Sequence, residues 1–111
     1  MTVKTEYGTY KDCVLALGDY LADNALSISI WNATDGAIAT ITKCLDVHDI
    51  AENESFVDTN NCPWAEDFIK EYHLGEFAGI YGMNGYCTYP LYRFNADELK
   101  KYEDIKGGRF T

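Results

Sequence analysis

Apolar and polar positions alternate with a period of two through the first half of the chain. That is the spacing of a strand with one face in a core and the other in water. Between Tyr10 and Leu21 the residues Cys13, Leu15 and Leu17 share one parity, and Asp23-Asn24 signals a turn. Leu26, Ile28 and Ile30 then alternate with Ser27, Ser29 and Trp31, the cleanest half-buried strand pattern in the chain. Asn32-Ala-Thr-Asp-Gly36 closes it, and Ala37 to Leu45 reads as a third strand in which Thr40 and Thr42 suit a pleated surface. Three strands joined by short turns predict an antiparallel meander. Residues 1–9 are polar and read as a frayed end or a short edge.

The period changes after Phe56-Val57, a short strand. Thr59-Asn60-Asn61 offers capping side chains, and Pro63 suits a first helical turn, where its missing N–H is not needed. Trp64, Phe68 and Tyr72 recur at i, i+4 and i+8 with Ala65 and Ile69 beside them, while Glu66, Asp67, Lys70 and Glu71 take the outer face. The spacing predicts a helix over 63–72, stopped by Gly75 at the C′ position. Before it, Asp46 to Glu54 reads as an acidic loop or a helical turn around Val47 to Ala51. Phe77 to Tyr81 and Tyr86 to Phe94 flank Gly82-Met-Asn-Gly85 as a second hairpin, and Pro90 calls for an edge, a bulge or two shorter pieces. Asn95 followed by Glu98 opens a short last helix through Tyr102, and Lys106 to Thr111 form a basic tail. The pattern predicts one α+β domain over residues 1–111. Its antiparallel sheet, an N-terminal three-strand meander plus a C-terminal hairpin, is packed by one principal helix, with flexible termini at 1–9 and 106–111.

Charge adds what periodicity does not. Of 18 acids in the 111 residues, nine fall between Cys44 and Glu76: Asp46, Asp49, Glu52, Glu54, Asp58, Glu66, Asp67, Glu71 and Glu76. Lys70 alone opposes them, so this segment carries −8 of the chain's net −9. A field of that sign repels nucleic acid and anionic membranes and attracts proteins with basic grooves. Direct nucleic-acid binding is therefore not expected. With 14% aromatic residues the chain has the material for a core, unlike a disordered acidic tail. The first seven residues hold no apolar signal core, and no apolar run spans a membrane. The expected location is the cytoplasm, where Cys13, Cys44, Cys62 and Cys87 stay reduced.

Catalytic chemistry is weakly signalled. Cys44 and His48 stand four apart, and Cys62, His73 and Cys87 would have to converge on them to hold zinc. No Cys-x-x-Cys pair pre-organises such a site. Buried thiols behaving as small hydrophobes account for Cys13, Cys44 and Cys87 more simply. Cys62 at a helix start would be a candidate nucleophile if His48 or His73 lay beside it. The pairs Glu66-Asp67 and Asp97-Glu98 fall on first turns, where the helix dipole already favours acids. Asp46-x-x-Asp49-x-x-Glu52 lacks the alternation of a calcium loop, and no Lys-Ser/Thr follows Gly82-Met-Asn-Gly85 as a phosphate loop requires. No catalytic residue, cofactor or metal is assigned.

Phe56-Val-Asp-Thr-Asn-Asn-Cys-Pro-Trp-Ala-Glu-Asp-Phe-Ile69, Leu74-Gly-Glu76 and Gly85-Tyr-Cys-Thr-Tyr-Pro-Leu-Tyr-Arg-Phe94 resemble an uncharacterised family of small proteins encoded on conjugative and phage-related elements of gut bacteria. The resemblance covers about Tyr10 to Leu99 and brings no catalytic residues with it. It implies cargo of the anti-CRISPR or anti-restriction kind, small acidic proteins that act as decoys for nucleic acid. The combined expectation is a non-enzymatic acidic inhibitor. Its nine clustered acids would occupy the basic nucleic-acid groove of a host defence complex, such as a Cas effector nuclease, and block DNA loading. Trp31 and Trp64 are the expected aromatic anchors. The alternative is a small zinc- or thiol-dependent protein of the same element, built on Cys44, His48, Cys62, His73 or Cys87.

Overall fold

A computed structural model describes residues 1–19, 26–45 and 50–103. In chain order the elements are β1 (Val3–Thr5), β2 (Gly8–Tyr10), β3 (Val14–Asp19), β4 (Leu26–Asn32), β5 (Gly36–Thr40), β6 (Thr42–Lys43), β7 (Glu54–Val57), α1 (Ala65–Glu71), β8 (Gly75–Asn84), β9 (Cys87–Phe94) and α2 (Ala96–Tyr102). Strands hold 52% and helices 15% of these residues. The strands form three antiparallel sheets: β1-β2, β3-β4-β5 and β6-β7-β9-β8. This overturns the expected α+β arrangement of one sheet packed by a principal helix. Both helices are only seven residues long.

The reason lies at two points. The helical stripe of Trp64, Phe68 and Tyr72 is present, its rings stacked at 6.1 and 5.3 Å. It is cut short because His73 turns left-handed at φ 55°. His73 N–H then donates to Lys70 O, and Leu74 N–H donates to Ile69 O, the pair of bonds that ends a helix in a Schellman motif. The stop is thus His73, not Gly75. Gly75 instead begins β8, where a Cβ would lie 2.7 Å from Arg93 O of the paired strand.

The second point is Ile41, between β5 and β6. Its N–H donates to Ile28 O of β4, and its carbonyl accepts from Asp58 N–H just past β7. One continuous stretch of chain therefore leaves the first sheet and joins the second, as strands do at the corner of two packed sheets. Leu15, Ile28, Ile30, Ile41, Val57, Ile69, Leu74, Phe94 and Leu99 fill the space between them.

The N-terminal residues form the β1-β2 hairpin with Val3 buried, and the Thr2 backbone exchanges hydrogen bonds with the Tyr72 hydroxyl. Asn95 caps α2 by accepting from the N–H groups of Asp97 and Glu98. The anticipated turn at Asp23-Asn24, most of the turn around Val47 to Ala51, and the basic tail lie outside the described residues.

β9 is the strand on which the site depends. It has a neighbour on each side and cores on both faces. Tyr92 and Phe94 join the main core, while Tyr89 and Leu91 join Phe56 in a smaller cluster on the opposite face. Pro90 sits within it and contributes no N–H. The partner strand β8 accommodates this with a bulge: Phe77 pairs with Tyr92 and Tyr81 with Pro90, so four steps on β8 match two on β9. Gly79, at φ 90°, makes the turn inside the bulge.

An acidic groove at the base of an uncharged arm

Beyond the bulge, β8 and β9 continue as an arm past the cover that α1 provides. No residue from Phe77 to Tyr92 carries a formal charge. The register places Phe77, Tyr81 and Met83 on the same face as Tyr92, and Gly82 on the face with Phe56 and Tyr89. The Phe56 face is closed: a Cβ at Gly82 would lie 2.6 Å from the Phe56 ring and 2.5 Å from Leu45. The other face is open. Phe77 is 43% exposed, Ile80 56%, Tyr81 63% and Met83 70%, and Tyr86 at the tip is fully exposed. Tyr81, Phe77, Tyr92 and Phe94 form a chain of ring contacts at 5.1, 6.1 and 6.2 Å that runs from this open face into the core.

Acids gather where the arm meets α1. Glu66, Asp67, Lys70, Gly75, Glu76, Phe77 and Tyr92 line an open groove of about 500 Å³. The Tyr92 hydroxyl donates to Glu66 at 2.5 Å. Burial, and then the Glu66 carboxylate, hold that phenol well above its usual range; it serves as a fixed donor and not as an acid near neutral pH. Asp67 also faces the other side of α1, where Glu71, Trp64, Thr2 and Lys4 line a second groove. Glu76 lies 3.8 Å from Arg93, which is also 3.6 Å from Glu54. The one guanidinium thus serves both carboxylates: the pair with exposed Glu76 contributes little to stability, while Glu54 is only 13% exposed beside it.

The nine-acid surface expected from the sequence is therefore divided. Glu66, Asp67, Glu71 and Glu76 are exposed around α1 and the start of β8. Glu52 is exposed on the loop before β7, and Glu54 is turned toward Arg93. Asp58 is buried. Its carboxylate accepts from Asn61 N–H and Asn61 Nδ2, so it fixes the turn before α1 and meets no partner. Asp46 and Asp49 lie outside the described residues.

Among the described residues the zinc or thiol alternative finds no common site. Cys62 is buried in the main core, Cys87 packs beside the Phe56 cluster, His73 is exposed at the end of α1, and Cys44 is half-buried after β6. His48 lies outside the described residues. Among the described residues no group of three His, Cys, Asp or Glu side chains could hold a metal ion. Cys62 lies before α1, and burial, with Asp58 nearby, pushes its thiol up to about 11. That is the reverse of the activated cysteine considered at a helix start.

The expected anchors Trp31 and Trp64 are both half-buried, Trp64 against the main core. Among the described residues the exposed aromatics are Tyr7, at the turn between β1 and β2, and Phe77, Tyr81 and Tyr86 on the arm, none of them an expected anchor. The available signal was the uncharged, non-alternating run Phe77-Ala-Gly-Ile-Tyr-Gly-Met83. Among the described residues no helix is long and apolar enough to cross a membrane.

A family model described as a domain of unknown function, DUF4313, matches residues 14–109. No curated protein and no solved structure matches the chain.

Proposed function

The chain belongs to the DUF4313 family, whose function is unknown, and from its own surface we propose a non-enzymatic inhibitor that binds a protein through the acidic groove and the aromatic arm. The target class is a nucleic-acid-handling defence complex of the CRISPR or restriction type, approached at its basic DNA-binding surface. The carrying observation is the juxtaposition of exposed Glu66, Asp67 and Glu76 with exposed Phe77 in one groove, with the exposed Tyr81 ring 5.1 Å from Phe77 beside it. Carboxylates steer a basic partner and raise the encounter rate, while aromatic side chains supply the contact area that slows dissociation. The resemblance to proteins of conjugative and phage-related elements supports the choice of target, because such elements gain from blocking host defences. A net charge of −9 supports a decoy for nucleic acid over a reader of it.

The test is affinity capture from a lysate of a gut bacterium. It compares the wild type with a Glu66→Gln/Asp67→Asn/Glu76→Gln variant, in which the amide at 66 can still accept from Tyr92, and with a Glu6→Gln/Asp12→Asn/Asp97→Asn control of equal charge change. Wild type and control are expected to retain a DNA-handling complex that added duplex DNA displaces. The groove variant is expected to lose most of it, with a flatter salt dependence of association. Equal capture by all three proteins, or capture indifferent to DNA, overturns the reading.

A further inference from the structure

Resting on the reading that this face meets a basic protein, we propose that the distal half of β8, Tyr81–Asn84, accepts an extended basic segment of the partner as an added strand. The four-stranded sheet would then become five-stranded.

Four observations carry this. β8 is the last strand of its sheet, and its outer edge pairs with no other strand among the described residues. It is ten residues long, whereas exposed edges are usually kept short or guarded by Lys, Pro or an inward charge. Past the bulge, itself one such guard, Tyr81–Asn84 carries none of the others: no Lys, no Pro and no charge. The bulge at Ala78–Ile80 interrupts the edge, leaving Tyr81–Asn84 as a regular, paired segment with a free side.

The sequence of the occupant follows from the two faces. An added strand places alternate side chains on each face of the sheet. On the open face they would lie beside Tyr81 and Met83, which calls for Val, Ile or Leu. Toward the base of the arm they would approach Phe77, Glu76, Glu66 and Asp67, which calls for Lys or Arg. A second copy of this chain is a poor occupant by the same criterion. It brings another net −9, and its own arm offers no basic side chain from Phe77 to Tyr92.

The probe is an eight-residue capped peptide of alternating valine and threonine ending in two lysines, so that a strand antiparallel to β8, like the others of this sheet, sets the lysines beside the acids at the base. Two companions isolate the terms: one with alternate backbone nitrogens methylated, and one with both lysines replaced by glutamate. Binding is read by titration and by amide hydrogen exchange of the intact protein. The parent peptide is expected to bind saturably and to slow exchange within Tyr81–Asn84, and both companions are expected to fail. A Tyr81→Ser/Met83→Ser variant, whose unchanged melting would show an intact fold, should bind it about tenfold more weakly.

Equal binding by the methylated peptide would mean surface contact without strand addition and would overturn the proposal. So would absence of parent-peptide binding, or slowed exchange at 81–84 in a peptide-free protein of doubled mass, which would identify the occupant as a second copy. The two readings fail separately. Loss of the peptide effect with DNA-displaceable capture intact removes strand addition alone. Peptide binding without such capture removes the target class alone.

Discussion

β4 and β8 are both rich in apolar residues, yet one is finished within the chain and the other is not. β4 has a neighbour on each side, and its Ile28 and Ile30 are fully buried while Ser29 meets Thr40 across the strand at 2.9 Å. Among the described residues β8 has one neighbour, one closed face at Gly82 and one open face at Phe77, Tyr81 and Met83. The polar residues alternating along β4 mark where water was expected. β8 has no such marks on its apolar stretch, and much of that stretch is exposed all the same. Apolar surface that the described residues leave uncovered, without charge to keep neighbours away, is the ground on which the proposed partner rests.

The contrast breaks most readily by truncation. Ile28→Ala should cost about 2–5 kcal/mol in urea unfolding because the cavity it leaves is closed on every side. Met83→Ala should stay within about 0.5 kcal/mol, as exposed positions do. Comparable costs at the two sites would mean the arm is packed after all. The closed side of β8 sharpens the point from the other direction. Gly82→Val drives methyl groups into Phe56 and Leu45 and should cost about 1–3 kcal/mol through overpacking. A neutral result would show that the Phe56 cluster yields easily.

Local capping sets a smaller scale. Asn95→Ala removes the acceptor for Asp97 N–H and Glu98 N–H and should lower stability by about 1 kcal/mol. At the bottom stands the Tyr81→Ser/Met83→Ser pair, expected to leave the midpoint of thermal unfolding nearly unchanged while lowering the protein's retention on a hydrophobic column. If stability falls instead, the two side chains are structural and the arm is no docking surface.

Much of the strand content was legible because period-two alternation records burial directly, as in Leu15, Ile28 and Ile30. The α2 cap was equally readable, since Asn95 and Glu98 act within one turn of chain. The overall arrangement was not. Nothing in Thr40-Ile41-Thr42 announces that the strand changes sheets, because the bend depends on where β4 and β7 stand. The end of α1 misled for a related reason. Gly75 is the residue best suited to a left-handed stop, but His73 takes that conformation and Gly75 is needed against Arg93 O. The acidic segment was visible as charge, whereas its division was not. Asp58 and Glu54 are drawn off by Asn61 and Arg93, partners that sequence spacing alone does not single out.

The crossing at Ile41 governs how the molecule comes apart. One residue holds β4 through its N–H and the Asp58 turn through its carbonyl, so the first sheet cannot open without pulling on the second. Loosening is then expected to be all-or-none across the two sheets, and the hydrogen-bonded amides of Ile41 and Asp58 should report a single global event in hydrogen exchange. The distal arm lies outside that linkage. A partner can grip its free edge and open face at little cost to the main core, since Tyr81–Asn84 is tied inward only to the smaller cluster, where Gly82 sits against Phe56 and Leu45.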